Sequence, residues 1–139
     1  MKIPFVNLKK QYIQEKQKLL RVIDKTIKSG EWVGGSEIVS FENKISRLCK
    51  TKYCVALNSG TDALTLSLHL LGVRKGDEVI TPPNSFIAST AVVTHLGAKP
   101  VFVDVKDDQN IDEYGIEKKI TKNTKIIMPV HVTGRMCAM

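Results

Sequence analysis

The stretch Asn58-Ser59-Gly60-Thr61-Asp62-Ala63-Leu64 decides the fold of this chain. Before it, residues 53–57 (Tyr-Cys-Val-Ala-Leu) form a short apolar run that predicts a buried strand. After it, leucines at 64, 66, 68, 70 and 71 predict a helix that is buried on most sides. The Ser59-Gly60-Thr61 turn is therefore expected where a strand passes into a helix.

Two roles fit the Ser59-Gly60-Thr61 turn. The first N–H groups of a helix lack internal partners and the helix dipole is positive there, so the turn can hold a phosphate. Alternatively, Ser59 and Asp62 form a capping box, in which the protein satisfies its own helix start. Spacing alone favours the cap, because capping is commoner than anion binding. The stretch has neither the Walker pattern nor the glycine fingerprint of dinucleotide-binding proteins.

Composition indicates an ordinary globular protein. The 139 residues suffice for one domain with a core, and 42% of them are hydrophobic and 25% charged. No apolar run is long enough to cross a bilayer, so no membrane partner is expected. The first ten residues lack the apolar core of a signal peptide, and we expect a cytoplasmic protein.

Cysteine, histidine and lysine usage gives little sign of a metal or of nucleic acid. The residues concerned are Cys49, Cys54, Cys137, His69, His95 and His131. They show no ligand spacing, so we expect free thiols with a packing role and no metal site. Much of the net charge of +7 lies in residues 9–28, which favours a solvated helix face, with steering of an anionic ligand as the alternative. Nucleic-acid binding is not expected, because no aromatic residues alternate with these lysines.

Patterning along the chain predicts an α/β fold. Residues 1–10 are expected to be extended, followed by a helix over 11–29 that Ser29-Gly30 ends and a second helix from Ser36. Strands are then predicted at 53–57, 78–81, 100–105 and 125–131, alternating with helices at 60–71, about 84–96 and 112–120. Such alternation indicates a mainly parallel sheet in a three-layer α/β/α arrangement. Ligands of such sheets bind beyond the carboxyl ends of the strands, here at residues 58–61, 82–86 and 131–134.

These residues resemble the sugar aminotransferases of the DegT/DnrJ/StrS type, which depend on pyridoxal phosphate (PLP) and have the fold-type I architecture. Asn58-Ser59-Gly60-Thr61-Asp62-Ala63-Leu64 is the most specific match, and Asn7 stands where the family's opening pattern usually has Asp. The matching blocks follow the family order at 3–8, 30–35, 41–42, 58–64, 76–82, 85–89, 97–105, 110–112 and 129–134. The resemblance implies residues 1–50 as an N-terminal helical segment and 51–139 as the front part of the PLP-binding large domain.

The resemblance also implies roles for single residues. Gly60 and Thr61 match the residues that bind the PLP phosphate in the family. The neighbouring Ser59 is a weaker candidate for the same role. Phe86 matches the aromatic residue that stacks on the pyridine ring, although sequence alone fits a hydrophobic staple at a helix start equally well. Trp32 and Gly34 match a segment near the substrate and the partner subunit, with core packing of Trp32 as the alternative.

The function implied is amination of a nucleotide-linked keto-sugar for glycan biosynthesis, with glutamate as the expected amino donor and a homodimer as the expected assembly. The alternatives are a PLP- or pyridoxamine-phosphate-dependent sugar dehydratase of the same fold, or a non-enzymatic fragment that binds a phosphorylated ligand or a full-length partner. In the family, the Schiff-base lysine and the aspartate that binds the pyridine nitrogen follow the Pro129-Val130-His131-Val132-Thr133-Gly134 block. Neither is matched before Met139, so the chain is expected to be the front of a longer protein and to contain no catalytic residue.

The first prediction is that the isolated chain has no transaminase activity, because the resemblance assigns the PLP-binding lysine to none of its own lysines. The test is an assay of the purified 139-residue chain with PLP, glutamate and a nucleotide-linked keto-sugar. Turnover above that of free PLP would contradict the prediction.

Overall fold

The computed structural model describes residues 3–139. Its elements are α1 (Leu8–Ser29), α2 (Ser36–Cys49), α3 (Gly60–Leu70), β1 (Glu78–Thr81), α4 (Ala88–His95), β2 (Lys99–Phe102), α5 (Glu113–Ile116) with a 3₁₀ turn (Glu117–Lys119), and β3 (Thr124–Ile127). They belong to two compact units, the described part of Met1–Ala56 and Leu57–Met139. The division into functional domains at 50/51 stays a prediction.

The first unit contains α1 and α2. Helix α1 begins at Leu8, earlier than the predicted start at 11, because the Asn7 side chain accepts a hydrogen bond from the N–H of Lys10 at 3.0 Å and caps the helix. The extended segment predicted over 1–10 is therefore wrong from Leu8 onward, and residues 1 and 2 lie outside the described residues. The predicted stop is confirmed, since Gly30 has φ 70° and its N–H bonds the carbonyl of Ile27.

Polar contacts connect the elements of this unit. The Nζ of Lys25 on α1 lies 2.7 Å from Oε1 of Glu37 on α2, whose predicted start at Ser36 is confirmed. The Oε1 of Glu42 accepts the N–H of Ala56 at 2.8 Å. Within the described chain neither helix has a fully buried residue, although Ile45 of α2 is half-buried.

The strand predicted at 53–57 is absent from the described structure. These residues follow α2 as irregular backbone, and Tyr53 and Val55 are more than 70% exposed. An apolar run becomes a strand only when a neighbouring strand takes up its backbone hydrogen bonds. Within residues 3–139 no strand pairs with this segment, which explains the failure of the prediction.

The second unit has a three-stranded parallel sheet in the order β2-β1-β3. Central β1 pairs with β2 from Glu78 opposite Lys99 to Thr81 opposite Phe102. The strands predicted at 78–81, 100–105 and 125–131 are confirmed, although β2 and β3 end earlier than expected. Helix α4 connects β1 to its parallel neighbour β2, as such a pairing requires.

Two apolar clusters cover the two faces of the sheet. Val79 packs with Leu68 of α3 and with Val92 and Val93 of α4. The next residue, Ile80, points to the opposite face and joins the second cluster, whose other members are Val103, Ile111, Cys137 and the partly buried Val101 and Ile116. The predicted α/β/α layering is therefore confirmed, with α3 and α4 on one face and α5 with the C-terminal segment on the other.

A buried carboxylate joins the strands at the edge where they begin. Glu78 is 8% exposed and accepts a hydrogen bond from the Thr121 hydroxyl at 2.7 Å, and Lys99 lies 3.3 Å away. These contacts hold the pKa of Glu78 below its ordinary value, with the Thr121 hydrogen bond as the largest cause. Because the folded pKa is the lower one, ionised Glu78 stabilises the fold above the unfolded pKa and loses this effect as pH falls through the folded pKa.

The second prediction concerns Thr121→Val, which removes the hydroxyl that binds Glu78. We expect the variant to be less stable than wild type at pH 7, and the difference to shrink as the pH falls into the range where Glu78 becomes protonated. The measurement is the free energy of unfolding in urea as a function of pH. Thr94→Val is the matched control, since its hydroxyl bonds only the Ala91 carbonyl. A Thr121→Val difference that stays constant down to pH 3 would contradict the prediction.

Candidate functional site

The start of α3 forms half of the predicted capping box: Ser59 caps the helix, and the Asp62 carboxylate bonds the Ser59 hydroxyl rather than its N–H. Ser59 has extended backbone angles, and its Oγ accepts the N–H of Asp62 at 3.1 Å and donates to Asp62 Oδ2 at 3.0 Å. The Ser59 carbonyl accepts the N–H of Ala63 at 3.1 Å. Because the Ser59 hydroxyl is already hydrogen-bonded within the helix start, it is a weaker candidate than Gly60 and Thr61 for binding a ligand.

The same helix start leaves donors free at Gly60 and Thr61. The N–H groups of these first two helical residues have no partner among residues 3–139, and neither has the Thr61 hydroxyl. A Cβ built on Gly60 would meet no atom within 4 Å, so the space beside this backbone is open. Two N–H groups, a hydroxyl and the positive helix end together fit a phosphate.

Chain direction brings this turn to the carboxyl edge of the sheet. Helix α3 packs against the sheet through Leu68 and leads, after Leu71–Asp77, directly into the start of β1. Its last turn therefore lies near the edge where β1 begins, and its first turn lies toward the opposite edge. The loop 82–87 leaves β1 at that same carboxyl edge, where ligands of parallel sheets bind.

Phe86 lies in the loop 82–87 and is 75% exposed. Its carbonyl accepts the N–H of Ser89 at 3.1 Å, at the start of α4, while the ring remains open to solvent. An exposed ring does not act as a hydrophobic staple, so that alternative is wrong. The stacking role stays a prediction that the exposed ring permits.

The segment that follows β3 contributes a histidine whose ring is held on one side. The Nδ1 atom of His131 accepts the N–H of Cys137 at 3.1 Å and lies 3.2 Å from its Sγ. Cys137 is 4% exposed, and its Sγ lies 3.4 Å from the Val130 carbonyl. The three thiols are free as expected, but the packing role fails for Cys49, which is exposed on the last turn of α2.

Trp32 and Gly34 belong to the first unit, where both line a surface cavity of about 300 Å³ between α1 and α2. Gly34 has φ 78°, a left-handed conformation that favours glycine. Trp32 is 73% exposed, so the alternative of core packing is wrong for the described chain. The exposed Trp32 ring is compatible with the predicted role near the substrate or the partner subunit, and that role stays a prediction.

Sequence reasoning missed two polar residues that shape the second unit. Asn110 is 1% exposed and its Nδ2 donates to the Met136 carbonyl at 3.2 Å, which fixes the C-terminal segment. Asn84 donates from Nδ2 to Gln109 Oε1 at 2.7 Å. For Asn84 the sequence predicted a helix start at about 84, which is wrong because α4 begins at Ala88. For Asn110 the sequence signals were the matching block at 110–112 and the cluster of turn-forming residues at 107–110.

Two further classes of site find no support in residues 3–139. No group of three or more His, Cys, Asp or Glu side chains there is arranged to hold a metal ion. No helix of this part of the chain combines the length and the apolar character needed to span a membrane.

A profile of the DegT/DnrJ/EryC1/StrS aminotransferase family matches residues 13–139. The chain belongs to this family. Similar family members include the dTDP-3-amino-3,6-dideoxy-alpha-D-galactopyranose transaminase of Aneurinibacillus thermoaerophilus, with 38% identity over 99% of this chain. The UDP-2-acetamido-2-deoxy-3-oxo-D-glucuronate aminotransferase of Pseudomonas aeruginosa is 39% identical over 98% of it.

Solved structures of the family share the fold. DesV of S. venezuelae, solved in complex with a ketimine intermediate, has a TM-score of 0.91 and 37% identity over 98% of this chain. The PLP form of the sugar aminotransferase Spr1654 of Streptococcus pneumoniae has a TM-score of 0.80 and 40% identity over 86%. The chain spans 38% of the length of the two transaminases above, 37% of DesV and 31% of Spr1654. The fold is therefore that of part of a fold-type I PLP enzyme.

The third prediction compares the stability contribution of the capping residue Ser59 with that of Thr61, whose hydroxyl has no partner in the described chain. Ser59→Ala should lower the free energy of unfolding by about 1 kcal/mol, because it removes the cap on the Asp62 N–H. Thr61→Ala should change it by less than about 0.5 kcal/mol, because no partner in the described chain uses that hydroxyl. Urea denaturation of both variants is the measurement, and equal losses would contradict the assignment.

Proposed function

We propose that this chain is the cofactor-anchoring part of a PLP-dependent aminotransferase that acts on a nucleotide-linked keto-sugar. The observation that carries the proposal is the helix start at Gly60-Thr61. Within residues 3–139 it leaves two N–H groups and a hydroxyl unpartnered beside open space, and it lies toward the same sheet edge as the exposed ring of Phe86. Membership of the family supports PLP as the ligand.

The chain's own residues would hold and orient the cofactor. The N–H groups of Gly60 and Thr61 and the Thr61 hydroxyl would donate to the phosphate, whose charge also favours the positive end of α3. Phe86 would lie against one face of the pyridine ring and fix its plane. When bound, PLP supplies the electron-accepting ring on which amino transfer depends. Ser59 would act indirectly, since its cap keeps the helix start in shape.

The proposal extends to substrates and assembly. Two relatives carry the names of a dTDP-sugar transaminase and a UDP-sugar aminotransferase, which supports a nucleotide-linked keto-sugar here. Glutamate would be the amino donor, and Trp32 with Gly34 would contact the substrate. We further propose a homodimer and a cytoplasmic location, as expected from the sequence. The same names favour aminotransferase over dehydratase chemistry.

The fourth prediction tests the phosphate anchor with pyridoxamine 5'-phosphate, which has no aldehyde to react with surface lysines. Thr61→Ala should weaken its binding roughly tenfold, because a hydrogen bond to a charged group is lost. Thr65→Ala is the matched control one turn later, since its hydroxyl bonds only the Thr61 carbonyl. Calorimetric titration is the measurement. Pyridoxamine without phosphate binding as tightly as the phosphate form would overturn the anchor.

Amino transfer itself is tested on the protein as its source organism produces it. Borohydride reduction fixes lysine-bound PLP covalently, and intact mass then reports one added cofactor. A product with the adduct that converts a nucleotide-linked keto-sugar and glutamate to the amino-sugar supports the proposal. A product that binds no PLP and transfers no amine overturns it.

A further inference from the structure

A hairpin follows β2 and holds one residue in an unusual backbone conformation. Val105 and Ile111 form an antiparallel bridge, and Lys106 donates its N–H to the Asn110 carbonyl at 2.9 Å. The N–H of Gln109 bonds the Lys106 carbonyl at 2.8 Å, which closes the turn. Gln109 has φ 67°, in the left-handed region.

Glutamine is a poor choice for that position if only the turn matters. Hairpin turns of this kind favour glycine or asparagine at the left-handed residue, because a larger side chain strains the backbone there. The Gln109 side chain has a partner outside the hairpin, the Nδ2 of Asn84, at 2.7 Å from Oε1. Gln109 thus combines a strained backbone with a side-chain contact to a distant residue. This combination indicates that the Gln109 side chain has a role beyond the turn.

The hairpin is a firm support for this contact. Asn110, next to Gln109, is 1% exposed, and both its N–H and its Nδ2 donate to the Asp108 carboxylate. The same Nδ2 reaches the Met136 carbonyl, and Arg135 Nε lies 3.5 Å from Asp108 Oδ2. The hairpin is thus tied to the C-terminal segment, and Gln109 projects from a fixed base.

The loop on the other side of the contact is held at its two ends, since Pro82 is buried and the Phe86 carbonyl accepts the N–H of Ser89. Residues 82–87 have no regular secondary structure. Among the described residues, the Asn84–Gln109 bond is the only side-chain hydrogen bond from this loop to another element. Phe86 follows Asn84 by two positions, and its exposed ring is not fixed by core packing.

We propose that Asn84 and Gln109 form a latch, the hydrogen bond between their side-chain amides, that positions the Phe86 ring against the cofactor. The proposal rests on the proposed function, in which Phe86 stacks on the pyridine ring. Asn84 and Gln109 would be positioning residues, since both act through the loop and not on the cofactor. The latch would reduce the ordering that the loop must undergo when the cofactor binds.

The fifth prediction follows from the strain at Gln109. Gln109→Gly removes the latch and also relieves the left-handed backbone, so stability should be equal or higher while the Phe86 loop becomes mobile. We expect the heteronuclear NOE of the Phe86 amide to fall in Gln109→Gly and in Asn84→Ala. Asn84→Asp should retain wild-type values, because a turned Gln109 amide can donate to the carboxylate. Lys50→Gly is the matched control, since Lys50 has φ 53° but lies in the other unit.

Ligand titrations complete the test. Both latch-breaking variants should bind pyridoxamine 5'-phosphate about two- to tenfold more weakly, with inorganic phosphate unaffected, because one hydrogen bond is lost away from the anchor. Unchanged Phe86 NOE values, or equal weakening of both ligands, would overturn the latch. Wild-type protein that prefers inorganic phosphate to pyridoxamine 5'-phosphate would overturn the proposed function instead, and the NOE values would still decide the latch.

Discussion

Burial of β1 on both faces is the constraint on which the second unit depends. All four residues from Glu78 to Thr81 are buried, and Val79 and Ile80 face opposite clusters. Burial on both faces is typical of a strand with parallel neighbours, which β1 has on both sides, and a parallel neighbour needs a crossover connection, usually a helix. Helices that pack antiparallel to the strand then begin at its carboxyl edge. The site follows from this, because the α3 start and the loop before α4 share that edge.

Elements set by near neighbours in sequence could be predicted. The Ser59–Asp62 spacing was sufficient to identify the cap of α3, and Asp112 caps α5 in the same way. The strand at 53–57 could not be judged locally, because an apolar run shows only that a strand is possible and its partner lies elsewhere. The early start of α1 depends on the Asn7 cap, and asparagine is among the strongest caps.

The residues of the candidate site also divide into those that the local sequence predicts and those that depend on the whole fold. Gly60 and Thr61 could be found from sequence, since free N–H groups at a helix start are a local property of the backbone. The Asn84–Gln109 bond joins residues 25 apart in sequence and depends on a left-handed glutamine, which no pattern predicts. Residues that bind a ligand through local geometry are therefore visible in the sequence. Residues that position others across the fold become visible only when the fold is known.

The cap and the phosphate site at α3 are not alternatives. A helix start has several unpartnered N–H groups, and the Ser59 hydroxyl satisfies only that of Asp62. Among the described residues the N–H groups of Gly60 and Thr61 find no partner, because they precede the capped position. The cap holds the first turn in helical geometry whether or not a ligand is present, so the free donors are already aligned when a phosphate arrives. In this arrangement the residue that satisfies the helix also prepares the anion site, because preorganised donors need little further ordering on binding.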